Sequence, residues 1–419
     1  MKKIKLGDIG SVRMCKRILK EETNSEGGIP FYKISTFGNV ADVFIDKDKY
    51  ENYKTRFSYP KKGEVLISAA GTIGRTVIYN GEDAYFQDSN IVWIENEEKE
   101  VLNSFLYYAY QNVRWKTSNG STILRLYNDD LRNTEILIPE DISEQKRIAK
   151  VLSNIDRKIS INREINRNLE ELAKQIYDYW FVQFDFPNKE GKPYKSSGGK
   201  MVWNDVLKRE IPDGWEVKSV NDIATSYRGV GYSAKDEKSF KDKNIVLILR
   251  GNNISNGHIV YDDNTVYVDK SFVSSEQEIK KYDVIITMSS GSKDHVGKSA
   301  MFLFDSPHSY GAFCNKLTPK KNYQFFLANY LHSEYFIKCI RQFASGTGIN
   351  NLTNEHFSKT IFSFPPNKII SDFNMKVEKI YQQLGIFEQE NMKLISLRNS
   401  LLPLLMNGQV TLNSCLSHD

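Results

Sequence analysis

Three groups of loop side chains occur twice in this chain and carry the hydrogen-bonding groups needed to read the edge of a nucleic-acid base. The longest in the first half is Ser68-Ala69-Ala70-Gly71-Thr72-Ile73-Gly74-Arg75. Its counterpart in the second half is Ser289-Ser290-Gly291-Ser292-Lys293-Asp294-His295-Val296-Gly297-Lys298. Tyr32-Lys33-Ile34-Ser35-Thr36 matches Leu249-Arg250-Gly251-Asn252-Asn253, and Gln87-Asp88-Ser89-Asn90 matches Cys314-Asn315-Lys316. Glycine lets the backbone approach a ligand closely. Arg or Lys can bond O6 and N7 of guanine, and Asn or Gln can bond N6 and N7 of adenine. With Ser121, Arg125 and Thr347 from a further repeated stretch, the candidates are Lys33, Ser35, Thr36, Thr72, Arg75, Gln87, Asn90, Ser121 and Arg125 in the first half. In the second half they are Arg250, Asn252, Lys293, His295, Lys298, Asn315 and Thr347. Any one of these taken alone reads better as a solvated loop residue; the paired occurrence gives the set its weight.

Catalytic constellations are missing. Gly291 to Gly297-Lys298-Ser299 has one residue too many between its glycines to cradle a phosphate, and Gly229-Val230-Gly231 lacks the third glycine of a dinucleotide loop. Ser363-Phe364-Pro365-Pro366-Asn367 has the prolines of an amino-methyltransferase motif with the wrong flanks and reads as a turn leading into a helix. Pro212-Asp213 stands only two residues before Glu216-Val217-Lys218, too close for a metal-holding nuclease pair on separate strands. The chain has no Gly-x-Ser-x-Gly and no His-Glu-x-x-His. Cys15, Cys314, Cys339 and Cys415 form no Cys-x-x-Cys pair, so a metal or disulfide framework is not expected.

The elements that must position these loops come in two copies. Ser118–Leu126 resembles Ala344–Leu352 at a shift of 226, which also carries Leu131 onto Phe357, Ile138 onto Phe364 and Pro139 onto Pro365. Gly63-Glu64-Val65-Leu66-Ile67-Ser68 matches Tyr282-Asp283-Val284-Ile285-Ile286-Thr287, and Leu6-Gly7-Asp8-Ile9 matches Val220-Asn221-Asp222-Ile223. Each copy starts with short apolar, β-branched strands joined by Gly-, Ser- and Asn-rich loops. A short helix follows, over Leu102–Tyr110 in the first copy and Gln324–Ile340 in the second. Each copy then ends in one long helix, Ser143–Trp180 with Ser143 as N-cap, and Ser371–Leu405. The apolar seams alternate spacings of 4 and 3, the coiled-coil period, so the helices are expected to pair. Asn166 and Asn391 are the midpoints of the superposable parts of the seams. They are expected to meet and fix the register. The expected division is a domain at 1–140, a helix at 141–186, a Gly/Ser/Pro/Lys linker at 187–205, a domain at 206–365 and a helix at 366–411. The fold class is α+β.

Composition agrees. The chain has 419 residues, 40% hydrophobic and 26% charged, which excludes wholesale disorder and allows two or three domains. Its net charge of +5 is compatible with a nucleic-acid partner without requiring one. No run of about 18 apolar residues is present and the start lacks a signal-peptide core, so a cytoplasmic location and no membrane contact are expected.

The combination resembles the specificity (S) subunit of type I restriction–modification systems. The residues that carry it are Gly63 through Gly74, Gly120-Ser121-Thr122, Ile138-Pro139 through Glu144-Gln145, and Ile148-Ala149 to Leu152. To these add Tyr179-Trp180-Phe181-Val182-Gln183-Phe184-Asp185 and Ser197-Gly198-Gly199-Lys200-Met201-Val202 to Ile211-Pro212-Asp213-Gly214-Trp215. The second copy departs from it, with Asn367-Lys368-Ile369-Ile370-Ser371 in place of the Glu-Gln helix start and no Gly-Thr-x-Gly after Thr287. The resemblance implies two target-recognition domains joined by two long antiparallel helices, each domain reading half of a split sequence in double-stranded DNA. It implies two modification subunits that hold S-adenosylmethionine, and restriction subunits that use ATP and magnesium. The chain itself would carry no cofactor, no metal and no catalysis. A helix from Glu144 to Trp180 would span about 55 Å at roughly 1.5 Å per residue, enough to hold two readers about one DNA turn of 34–36 Å apart. Two other classes stay open: a DNA methyltransferase or nuclease with its own site, and a coiled-coil scaffold that binds only proteins.

Overall fold

The computed structural model describes residues 1–115, 125–261, 265–292, 294–343 and 350–412. The chain divides into two compact units, Met1–Ile161 with Asn391–Asp419, and Asn162–Glu390. Each unit therefore takes in part of both long helices.

In the first unit a four-stranded antiparallel sheet runs in the order Gly10–Met14, Ile91–Asn96, Val65–Ser68, Thr76–Ile78. Both faces of its central strands are buried, and the two-residue period of a strand sends alternate side chains into different cores. Val65, Ile67, Val92 and Ile94 pack with Phe105, Leu106, Ile148, Leu152 and Leu405. Leu66, Ile91 and Trp93 pack with Phe31 and Tyr85 from a second sheet. In that sheet Ile29–Tyr32 pairs in parallel with Tyr85–Phe86. Lys2–Lys5 pairs antiparallel with Glu135–Ile138, just before the long helix starts.

The second unit repeats this plan. Its four-stranded sheet runs Ala224–Arg228, Cys314–Pro319, Val284–Thr287, Ser299–Met301, and Glu216–Ser219 closes on Ile361–Phe364 as Lys2–Lys5 does on Glu135–Ile138. Ile245–Leu249 pairs in parallel with Ser309–Tyr310. The alternation recurs, with Val284 and Ile286 in one core and Ile285 in the other.

The long helices are Ile142–Tyr177, continued by a π-helical turn Asp178–Val182, and Asn367–Met406. Ser143 is not the N-cap. The Asp141 carboxylate accepts from the Ser143 N–H at 2.8 Å and so takes that role. Gln145 is fully buried and ties the helix start to the domain: its Nε2 donates to the carbonyls of Glu100 and Pro139, and its Oε1 accepts from Leu102 N–H. Where the second copy lacks this glutamine, Tyr323 Oη donates to Asn367 Oδ1 at 2.9 Å. The single helix expected over Gln324–Ile340 is two, Gln324–Leu331 and Glu334–Phe343; Ser333 Oγ accepts from Phe336 N–H and starts the second. The linker segment 187–205 is ordered. Phe186 stacks on Tyr194 with centroids 4.6 Å apart, the Asp185 carboxylate holds Ser196, and Met201–Asn204 forms a hairpin with Arg209–Pro212.

Within the second unit Asn162 Nδ2 donates to Glu390 Oε2 at 2.7 Å, while Tyr177 and Trp180 meet Phe373. Partner numbers fall as the first helix advances, so the helices are antiparallel there. In that register Asn166 faces the turn around Leu384 to Glu388. The buried asparagine that reaches the Glu390 turn is Asn162, one turn earlier than expected. Asn391 is buried in the first unit, where the register contact is Arg398 Nη1 to Asp156 Oδ1 at 2.8 Å.

Candidate nucleic-acid interface

In the first unit backbone hydrogen bonds gather the candidate loops at one end of the sheet. Ser68 N–H donates to Arg75 O and Gly74 N–H returns to Ser68 O, each at 2.9 Å, closing the Ser68–Arg75 loop. Ala69 N–H donates to Asn90 O at 2.8 Å, and Leu126 N–H donates to Ala69 O at 2.8 Å. Side chains complete the cluster. Gln87 Oε1 accepts from Ile34 N–H at 3.0 Å, Arg75 Nη1 donates to Phe37 O at 2.9 Å, and Arg125 Nη2 donates to Ser89 O at 2.8 Å.

The second unit uses the same bonds. Thr287 N–H donates to Lys298 O and Gly297 N–H to Thr287 O, each at 2.9 Å. Met288 N–H donates to Phe313 O at 2.8 Å, and Leu352 N–H to Met288 O at 2.7 Å. Ser68 therefore corresponds to Thr287, Gly74 to Gly297, Arg75 to Lys298 and Asn90 to Phe313. The paired bridges Ala70–Arg125 and Ser289–Asn351 add Arg125 and Asn351.

The candidates thus sort by place. Ser35, Thr72 and Asn252 are exposed, and Arg75 keeps an exposed side chain although one of its donors is committed to Phe37 O. Lys33 pairs with Asp42 at 3.0 Å, and Thr36 Oγ1 bonds the Lys33 backbone. Arg250, His295 and Lys298 are half-buried at the loop bases. Ser121, Lys293 and Thr347 lie outside the described residues. Asn315 is misplaced in the sequence-based set. It sits on a strand, is 7% exposed, and spends its Nδ2 on Ser226 Oγ and Asn354 Oδ1. Lys316 beside it points into the sheet against Asp283. The counterpart of Asn90 is Phe313, two residues earlier.

Sequence reasoning missed two residues here. Arg17, whose side chain is largely exposed, pairs with Asp88 at 2.8 Å and so joins the 87–90 loop; the Lys16-Arg17 pair was a signal for it. Phe313, 69% exposed, follows Gly311-Ala312, and an aromatic on so small-residued a loop was the clue.

Two buried cysteines beside the clusters are poorly suited to covalent chemistry. Burial pushes the thiols of Cys15 and Cys314 up to about 12, so neither is a nucleophile near neutrality. Among the described residues no three His, Cys, Asp or Glu side chains are placed to hold a metal ion.

The loops need glycine at two matched points. A Cβ on Gly74, at φ +81°, would lie 2.3 Å from the Trp115 ring, and one on Gly297, also at +81°, would lie 2.7 Å from Ile340 Cγ2. Gly74→Ala is expected to destabilise the first unit by about 2–4 kcal/mol, combining left-handed strain with overpacking. Gly63→Ala, at φ +93° with nothing within 4 Å, should cost about 1–2 kcal/mol from strain alone. Urea denaturation of both variants checks the order.

Comparison with known proteins agrees with this geometry. A type I restriction enzyme specificity subunit of Haemophilus influenzae is 52% identical over 182 residues, 43% of this chain and 46% of that one. The chain thus spans about half the length of that curated relative. The MjaIX specificity subunit of Methanocaldococcus jannaschii is 24% identical over 432 residues, 98% of this chain and 93% of that one. Among solved structures, the S subunit of a type I restriction-modification system from M. genitalium superposes with a TM-score of 0.56 at 17% identity, covering 97% of this chain and 96% of that one, and so shares the fold. The type I restriction modification DNA specificity domain matches residues 1–171 and again 212–397. With that domain present twice, on two copies of one scaffold, the chain belongs to the type I restriction modification DNA specificity family.

Proposed function

We propose that this chain is the DNA-reading subunit of a type I restriction–modification assembly. Each unit reads one half of a bipartite duplex sequence through its loop cluster, the helices set the gap, and two modification subunits dock on the chain. Methyl transfer then belongs to those subunits, which supply S-adenosylmethionine, and DNA translocation and cleavage to restriction subunits that use ATP and magnesium. The chain itself is non-catalytic and acts in the cytoplasm.

One observation carries this reading. The two clusters are held by the same backbone bonds yet present different side chains at equivalent places: Ala70 and Ser289, Asn90 and Phe313, Arg125 and Asn351. A conserved mount with exchanged contacts suits a reader of two unlike half-sites, whereas an enzyme with its own site would need the same reactive groups kept. Methylome sequencing of cells carrying this gene with its modification partner is expected to show one split motif with a fixed gap. Random methylation, or a single continuous motif, would overturn the reading.

A further inference from the structure

Phe313 stands out on the second unit's loop cluster. It is 69% exposed, whereas Tyr310, three residues earlier, is fully buried. Its position is fixed from the backbone: its carbonyl accepts from Met288 N–H at 2.8 Å and Ser289 N–H at 3.2 Å, and Cys314 N–H closes a turn on Gly311 O at 2.8 Å. Its place in the first unit is held by Asn90, a residue able to bond an adenine edge. A benzene ring has no donor or acceptor for a base edge. The one apolar group that a base presents in the major groove is the C5-methyl of thymine, and phenylalanine is among the side chains suited to contact it. A ring this exposed on the loop cluster is open to contact by a bound duplex.

We infer that Phe313 is a specificity-determining residue of the second unit that selects thymine at one position of its half-site by packing on the C5-methyl group. The inference rests on the DNA-reading function proposed above. It adds that the first unit reads the corresponding position by hydrogen bonding through Asn90 and the second by apolar contact.

The test uses the chain assembled with its modification subunits and duplexes carrying the motif found in cells. Deoxyuridine replaces thymidine one position at a time, which deletes only the methyl group. For the unaltered protein, one substitution in one half-site is expected to weaken binding about 4-fold, the worth of one buried methyl-sized group. Phe313→Ala should bind the thymine and uracil duplexes equally at that position and keep every other preference. Phe313→Asn should shift the preference there from thymine toward adenine. The inference is overturned if uracil is tolerated at every thymine, if the half-site read by the second unit contains no thymine, or if Phe313→Ala still discriminates thymine from uracil at the sensitive position. Sequence-specific binding with any of these results sinks the thymine contact alone. Loss of all sequence preference in the unaltered assembly would sink the DNA-reading function with it.

Discussion

Truncating Lys316 to alanine is expected to destabilise the second unit by about 3–5 kcal/mol, because it strips the cation from a buried carboxylate. Lys316 Nζ lies 3.4 Å from Asp283 Oδ2 and donates to Glu278 O at 2.6 Å, with side-chain exposures of 6% for the lysine and 4% for the aspartate. Asp283 would keep its bonds from Thr318 Oγ1 and Lys280 N–H but hold its charge out of water without a counter-ion. The loss is read as a lowered urea midpoint of the full chain, and a change under 1 kcal/mol would contradict it. The first unit supplies the control. Strand pairing aligns Lys316 with Trp93, since Ile285 faces the former and Leu66 the latter. The scaffold thus accepts an apolar residue in place of the lysine, while the counterpart of Asp283, Glu64, stays a buried acid; Lys316→Met with Asp283→Leu removes both buried charges and should recover most of the lost stability.

Exchange of residues 216–364 for the matching part of a relative is expected to replace one half of the methylation motif and leave the other half and the gap unchanged. The boundaries follow the structure, because Glu216–Ser219 pairs with Ile361–Phe364 and the exchange moves both strands together. Each mismatched base pair costs a DNA reader about 1–3 kcal/mol. A half-site of several base pairs therefore gives a shift of several orders of magnitude in preference. Methylome sequencing reads the outcome directly. A change in both halves would mean that the units do not read independently.

Much of this fold was legible in the residues. The two long helices follow from apolar spacing and lie within a few residues of their expected ends, and the repeat survives as matched sheets with matched pairings. The site was less legible, for a physical reason. Gln87, Arg125 and Arg75 look like base readers by type, but they bond carbonyls and N–H groups of neighbouring loops, and no spacing along the chain announces which carbonyl stands nearby. Asn315 and Lys316 failed differently. Polar residues in a strand suggest a loop until both faces of the sheet prove buried, and here each found a partner inside. Asn162, one turn before the expected Asn166, reaches the Glu390 turn, because apolar spacing marks which face of each helix packs but not the offset between the two helices.

The bonds that mount the loops run between backbone atoms: Ala69 with Asn90 and Leu126 in one unit, Met288 with Phe313 and Leu352 in the other. Backbone atoms are common to nearly all residues, so selection on stability is almost blind to what stands at 70, 90, 289, 313 and 351. Those positions can drift or be selected for new targets at little cost to folding, while Gly74 and Gly297 cannot. The molecule separates an evolvable alphabet from an inherited frame, and a library randomised at the five positions should fold about as often as its parent.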